Sequence, residues 1–322
     1  MERTSASELR TDRLALAAAA VTVVLWASAF VSIRSAAASY SPGALALGRL
    51  VVATAVLGVF LSVRREGWPR RAAWPGIIAS GVLWFGVYMV ALNWGEQTVD
   101  AGTAAMVVGI GPLLVALLAG WLLREGLPRP LLVGMVVSFA GVIVVGLSQS
   151  SGGRTSVTGV LLCAAAAVSL AGGVVAQKPA LRHASPWQVT TFGCAVGAVA
   201  CLPFAGSLVS DLADAPLSAT LNMVYLGLFP TAVAFSTWAY ALSHSTTGRM
   251  AATTYAIPAV AIVLSWAFLG EVPTWAALAG GFLCLFGVAI ARRTPKPSPA
   301  PAGDSAHEAA HDADPEAARD PR

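Results

Sequence analysis

A chain of 322 residues with 57% hydrophobic and only 11% charged residues is not a soluble globular protein, where about 25% are charged. Its formal charge of +4 identifies no partner until the basic residues are placed, and Cys163, Cys194, Cys201 and Cys284 all lie in apolar runs. Without CxxC spacing or a neighbouring histidine, these cysteines read as small apolar filler, not as a disulfide framework or zinc cluster. The expected class is an all-α polytopic membrane protein.

In chain order, residues 1–13 form a polar segment of mixed charge, expected on the cytoplasmic side. The first apolar run, 14–33, imitates a signal peptide, with Arg10 and Arg13 before it and Ala27-Ser28-Ala29 near its end. Glu2, Glu8 and Asp12 in the leading segment, and a counterpart of the run later in the chain, argue for retention. Runs of spanning length follow at 43–63, 75–95, 101–122 and 131–147. A Ser/Gly-rich connector, 148–156, separates these from 157–177, 187–207, 220–242, 250–269 and 275–291. That makes ten expected spans in two sets of five, 14–147 and 157–291. The tail from Arg292 is rich in Pro, Ala, Asp and Glu and has little to bury, so it is expected to be a disordered cytoplasmic tail.

The two sets repeat one another. Pro112, Glu125, Gly134 and Gly141 recur as Pro258, Glu271, Gly280 and Gly287, all at an offset of 146. Ala17 to Thr22 recurs as Ala164 to Ser169, and Ser41-Pro42 recurs as Ser185-Pro186. Five spans per half is an odd number, so the second half is inverted relative to the first. With the N-terminus inside, 17 of the 20 Lys and Arg residues fall in cytoplasmic segments, against Arg34 and Arg154 outside. Both termini are therefore expected inside, and the basic balance is a topology signal that removes nucleic acid as a partner.

These features resemble the EamA-type transporters of the drug/metabolite transporter superfamily. The resemblance runs from about Leu14 to Arg293. It is carried by the proline, the glutamate 13 positions on and the glycine-rich helix that follows, present twice, and by Ser41-Pro42-Gly43 leading to Arg49. It implies ten helices in inverted repeats, alternating access, and export of amino acids, metabolites or drugs. The second half departs from the pattern, with Gly193 where a repeat of the arginine falls.

Arg49 is the one Lys or Arg inside a span, roughly 9 Å from the outer end of its helix by rise per residue. One reading makes it a bidentate fork for a substrate carboxylate. The other makes it an ion pair with Glu96 or Asp100, or a side chain snorkelling outward. Glu125 and Glu271 sit at span ends, as boundary residues bonded to backbone or a neighbouring base, with proton carriage the alternative. Pro112 and Pro258 read as hinges or kinks that shape a cavity. Trp26, Trp84, Tyr88, Asn93, Thr231, Trp238 and Tyr255 are the candidate pocket lining beside Arg49, since small-molecule pockets are mostly apolar with a few placed polar groups. Interfacial anchoring and bonding within one helix are the competing uses of such residues. Gly193 and Gly197 form a GxxxG read as packing within the protomer, a homodimer being the alternative.

His307-Glu308-Ala309-Ala310-His311 matches the HExxH zinc-protease pattern, but it lies in the polar tail without an apolar helix face or a third ligand, so no metal site is read from it. No GxxxxGK[ST] loop is present, and no cofactor is implied. The reading is a secondary transporter of the cytoplasmic membrane, acting on a small organic metabolite and bedded in the lipid bilayer. Drug or cation efflux and metabolite uptake are alternatives on the same fold. A membrane-embedded enzyme requires convergent His, Asp or Cys groups at membrane depth, and the spans do not offer them.

Overall fold

The computed structural model describes residues 6–122, 129–148, 157–243, 254 and 256–291. Glu125, Tyr255, residues 149–156 of the connector and the histidine motif of the tail lie outside the described residues. Every described element is helical, as lipid demands of a chain that must satisfy its backbone groups internally. The helices are α1 (Ala6–Ala36), α2 (Pro42–Val63), α3 (Arg71–Gly95), α4 (Ala101–Val108), α5 (Gly111–Leu122), α6 (Arg129–Ser148) and α7 (Val157–Ala180). They continue as α8 (Pro186–Ala200), α9 (Ala205–Asp214), α10 (217–243), α11 (Ala256–Leu269) and α12 (Trp275–Ala291). Among the described residues, six helices are long and apolar enough to cross a membrane, or seven if the bent pair α8 and α9 counts as one. Three shorter apolar stretches, Leu132–Val145, Ala256–Leu269 and Trp275–Ile290, accompany them.

Two expected spans are interrupted. The run 101–122 is two helices that meet at Gly109-Ile110, so Pro112 stands in the first turn of α5 and not in mid-helix. A first-turn proline loses no hydrogen bond, because its N–H would be an orphan there anyway. Pro258 likewise sits third in α11. The prolines differ in setting, Pro112 being exposed and Pro258 buried. The run 187–207 ends at Ala200, where Leu202-Pro203 opens a bend of 53° into α9. There the proline removes a backbone donor and forces the chain to turn.

Helix starts are fixed by side chains. Ser185 and Gln188 form a capping box on α8, and Asp100 accepts from the Thr103 N–H at 2.8 Å at the start of α4. Asp211 of α9 accepts from the backbone N–H and hydroxyl of Ser41, at 2.8 and 2.9 Å, just ahead of α2. Asn93 Nδ2 donates to the Pro42 carbonyl at 3.0 Å. These two contacts set the position of α2, and with it the depth of Arg49.

Packing is close wherever glycine faces a neighbouring helix. A Cβ on Gly193 would lie 2.9 Å from the Phe85 ring, and one on Gly197 would lie 2.6 Å from Phe85 Cβ. The GxxxG of α8 therefore packs against α3 of the same chain. The most extensive helix contact joins α6 to α12. Its centre is a bond from Ser138 Oγ to the Cys284 carbonyl, 2.8 Å.

Candidate functional site

Two seven-residue π-helical segments, Gly81–Val87 in α3 and Gly227–Val233 in α10, are set 146 positions apart. A π turn shifts the backbone bonding from i+4 to i+5 and leaves carbonyls for side chains to take up. Ser169 Oγ of α7 donates to the Leu83 carbonyl at 2.8 Å, and Trp26 Nε1 of α1 donates to the Pro230 carbonyl at 3.2 Å. Pro230, without an N–H, suits the second segment because one backbone donor there is already displaced.

Arg49 faces that second segment. It is only 5% exposed, and its Nη2 donates to Thr231 Oγ1 at 3.2 Å. The Thr231 hydroxyl in turn donates a hydrogen bond to the Leu226 carbonyl at 2.9 Å, so the acceptor is held in place. Arg49 Nε has no partner, and no carboxylate lies within ion-pair distance among the described residues. Arg49 thus pairs with neither Glu96 nor Asp100, and its burial rules out snorkelling. One donor of the planar five-donor fork, Nε–H, is thus buried and unused.

The aromatic candidates converge on a residue that sequence reasoning passed over, Phe235. Its ring centroid is 5.6 Å from that of Trp26 and 5.2 Å from that of Trp84, both edge-on. Trp238 lies 5.3 Å from Trp26. Edge-to-face pairs of this kind add to the area they bury and fix ring orientation. Tyr88 packs against both hydrophobic clusters that flank α2 and α3. Asn93 spends its amide N–H on Pro42, and its Oδ1 is buried without a partner. Of the eight candidate lining residues, Trp26, Trp84 and Trp238 form one group and Arg49 and Thr231 another. Trp26 joins the groups through Pro230, the neighbour of Thr231.

A separate charged cluster closes the ends of α1, α3 and α11. Arg34 Nε bonds Glu271 Oε1 at 2.8 Å, while its Nη1 donates to the carbonyls of Glu96 and Gln97 at 2.9 and 3.0 Å. Glu271 is therefore an ion-pair partner that ties the end of α11 to α1. Glu96 is fully buried, and neither carboxylate oxygen has a partner. It lies in the connection between α3 and α4, where burial pushes its carboxyl well above the usual carboxylate range, against the pull of Arg34 and Arg49. Burial also raises the Asp100 carboxyl, opposed by its bonds to Thr103.

A partly open cleft of about 360 Å³ lies between α1, α10 and α11, lined by Ser28, Ser32, Ser35, Asn222, Tyr225 and Phe268 among others. Ser28 and Tyr225 share a hydroxyl bond of 2.7 Å at its wall. Arg49, Trp26, Trp84, Tyr88, Asn93, Thr231 and Trp238 do not border it, whereas the polar span residues Ser28, Asn222 and Tyr225 do. The Arg49 and aromatic groups combine a buried unspent donor with a rigid apolar surface, which makes them the candidate site.

The EamA-like transporter family matches the chain twice, over residues 13–147 and 157–293. A probable terminal-alkyne amino-acid exporter of Streptantibioticus cattleyicolor is 37% identical over 278 residues, covering 85% of this chain and 91% of that protein. An uncharacterized transporter of Bacillus subtilis is 33% identical over 265 residues, covering 82% and 86%. A probable amino-acid metabolite efflux pump of Salmonella typhimurium is 25% identical over 215 residues, covering 64% and 71%. One solved crystal structure shares the fold, with a TM-score of 0.58 at 23% identity, covering 87% of this chain and 99% of the other.

Proposed function

The chain belongs to the EamA-like transporter family, and from that premise we propose that it exports a small amino acid, or a close metabolite of one, across the cytoplasmic membrane. The observation that carries the reading is the buried Arg49 with its free Nε–H beside the Trp26, Trp84 and Trp238 group. An unspent guanidinium edge fits a carboxylate, and the indole faces fit an apolar side chain.

Ten spans in two inverted halves, both termini inside, complete the architecture. Among the described residues, six long helices, the bent pair α8 and α9 taken as a seventh span, and three shorter apolar stretches support that number. The antiparallel pairing of equivalent residues in α6 and α12 supports the inversion. The halves, 14–147 and 157–291, rock about the site between them, and the interruption before Pro112 and the first turn of α11 around Pro258 absorb the motion. In this state Arg49 is enclosed, so solute reaches it only after one half has moved.

The relatives named as exporters of amino acids supply the choice of test solute. Cells producing the chain are loaded with L-propargylglycine or L-norvaline through their dipeptides, and the free amino acid appearing outside is timed. Parent cells are expected to release either solute faster than empty cells, with Arg49→Ala at matched membrane levels falling to the empty-cell rate. Equal release by parent and empty cells would sink the amino-acid reading.

A further inference from the structure

Glu96 is a buried acid that the amino-acid reading leaves unused, and the groups around it explain why it has no counter-ion. On α1, Arg34 is spent on Glu271 and on the carbonyls of Glu96 and Gln97. Asp100, four residues on, is held as the cap of α4. On α7 the neighbour is Cys163, and on α3 itself it is Tyr88. On α2 the neighbour is Arg49, near enough for the two charges to act on each other yet beyond ion-pair distance. Arg34 and Glu271 neutralise one another, which leaves one free cation edge and one free acid in a single buried region.

Asn93, in the last turn of α3, and Glu96, the residue that caps its end, stand three apart in the chain. Between them they offer three buried acceptor atoms without partners: Asn93 Oδ1, Glu96 Oε1 and Glu96 Oε2. Arg49 Nε offers a donor on the same footing. In kind, a cationic donor and anionic acceptors are what the carboxylate and ammonium of an amino-acid zwitterion require. A lone buried charge costs several kcal/mol or neutralises itself, so Glu96 without solute takes up a proton.

We propose that Glu96 is occupied in turn by a proton and by the ammonium group of the solute whose carboxylate Arg49 holds, so that export is an exchange of amino acid for proton. The proposal rests on the amino-acid reading above. When solute enters, the Glu96 O–H bond breaks, the proton leaves to the water on the open side, and the carboxylate accepts N–H bonds from the ammonium. When the site opens outward, a proton returns to the same oxygen and the ammonium is released. Proton and ammonium compete for one carboxylate, so they travel in opposite directions, and an inward proton gradient drives solute out. Compounds lacking the ammonium, such as N-acetyl amino acids, leave Glu96 protonated and are poor solutes.

The test uses the full chain reconstituted in phosphatidylethanolamine–phosphatidylglycerol vesicles, with L-propargylglycine as probe. Three readings are taken on the parent, Glu96→Gln and Glu96→Asp: exchange of labelled for unlabelled probe, proton release on binding in weak buffer, and the infrared band of protonated carboxyl groups. The parent is expected to release about one proton per probe bound and to lose carboxyl band intensity as it does so. Glu96→Gln is expected to lack both signals. Glu96→Asp, which retains an acid, is expected to keep all three with a shifted pH profile, separating loss of chemistry from loss of fold. Probe exchange by the parent without proton release overturns the proposal and leaves the amino-acid reading standing. Proton release that persists in Glu96→Gln overturns it as well. Absence of probe exchange in the parent is the distinct signature of a wrong solute class, and it removes the ammonium step with it.

Discussion

Gly141 and Gly280 press backbone against backbone: a Cβ on the first would lie 2.5 Å from the Gly280 carbonyl oxygen, and one on the second 2.8 Å from the Gly141 carbonyl oxygen. The neighbours obey the same exchange. Gly287 meets the Gly134 carbonyl, and Ser138 and Cys284 each bond the other's carbonyl. Positions 134, 138 and 141 are the repeat equivalents of 280, 284 and 287, so α6 and α12 cross as images of one another, running antiparallel. Lipid provides no hydrophobic drive between helices, and small residues that admit close backbone approach take its place.

Gly141→Val and Gly280→Val therefore place a branched side chain against a carbonyl that cannot withdraw. Each is expected to cost about 1–3 kcal/mol by overpacking, read as a lower midpoint of thermal unfolding in detergent. Gly58, with nothing within 4 Å of a Cβ, is the control. Gly58→Ala is expected to be neutral or stabilising, by up to about 1 kcal/mol, since it removes a helix glycine. Equal losses at Gly58 and Gly141 would show that helix propensity, not the contact, sets the cost.

Arg49 and Thr231 give the most direct test of the site. Arg49→Lys keeps the charge but loses the planar fork, so solute exchange is expected to fall about tenfold or more, equivalent to ~1.4 kcal/mol. Thr231→Val removes the hydroxyl that holds Nη2 and frees a second edge of the guanidinium. Its expected effect is a smaller loss in apparent affinity, with assembly in the membrane retained. Full exchange by Arg49→Lys would reduce Arg49 to a point charge.

The residue types at this site were legible in the sequence, and their grouping was legible only in part. Arg49 stood out because a guanidinium in an apolar run is costly unless it meets a partner or water. The three tryptophans were visible as amphipathic residues, but Phe235, on which two of them converge, has no polar atom to set it apart from lipid-facing phenylalanines. The π segments were not foreseen because GVLWFGV and GLFPTAV share little beyond their spacing of 146 and their terminal Gly and Val. Pro230 within a span was the available signal. Glu96 resembled an ordinary loop charge, since nothing local shows that α1, α2 and α7 bury it. The break at Ala200 was signalled by Leu202-Pro203 and missed because the apolar run continues past it.

The pair Arg34 and Glu271 joins distant parts of the chain across the ends of three helices. Its side chains are 16% and 19% exposed, and Arg34 also holds two carbonyls. Arg34→Ala is expected to cost about 2 kcal/mol, because it strips the carbonyls as well as the carboxylate, and Glu271→Gln is expected to cost less. In a double-mutant cycle the two losses should fall short of additive by about 0.5–1.5 kcal/mol. Strict additivity would mean that the pair is incidental, and that Arg34 acts through the carbonyls alone.

Glu96 also predicts how stability depends on pH. Its carboxyl is raised above the ordinary value of 4.5, first by burial and further by Glu271 and Asp100, with Arg34 and Arg49 opposing. A raised folded value means that the native chain binds more protons than the unfolded chain in the window above 4.5. Stability is then full below that value and declines as pH rises toward the folded one. Asp100, raised by burial, adds a decline of the same sign. Thermal midpoints of the purified chain are therefore expected to fall from acid toward neutral and alkaline pH. Glu96→Gln, neutral throughout, should flatten most of that slope and leave the smaller part owed to Asp100. A Glu96→Gln slope as steep as the parent's would show that the Glu96 carboxylate finds a counter-charge when it ionises, with Arg34 and Arg49 the basic neighbours to examine for it.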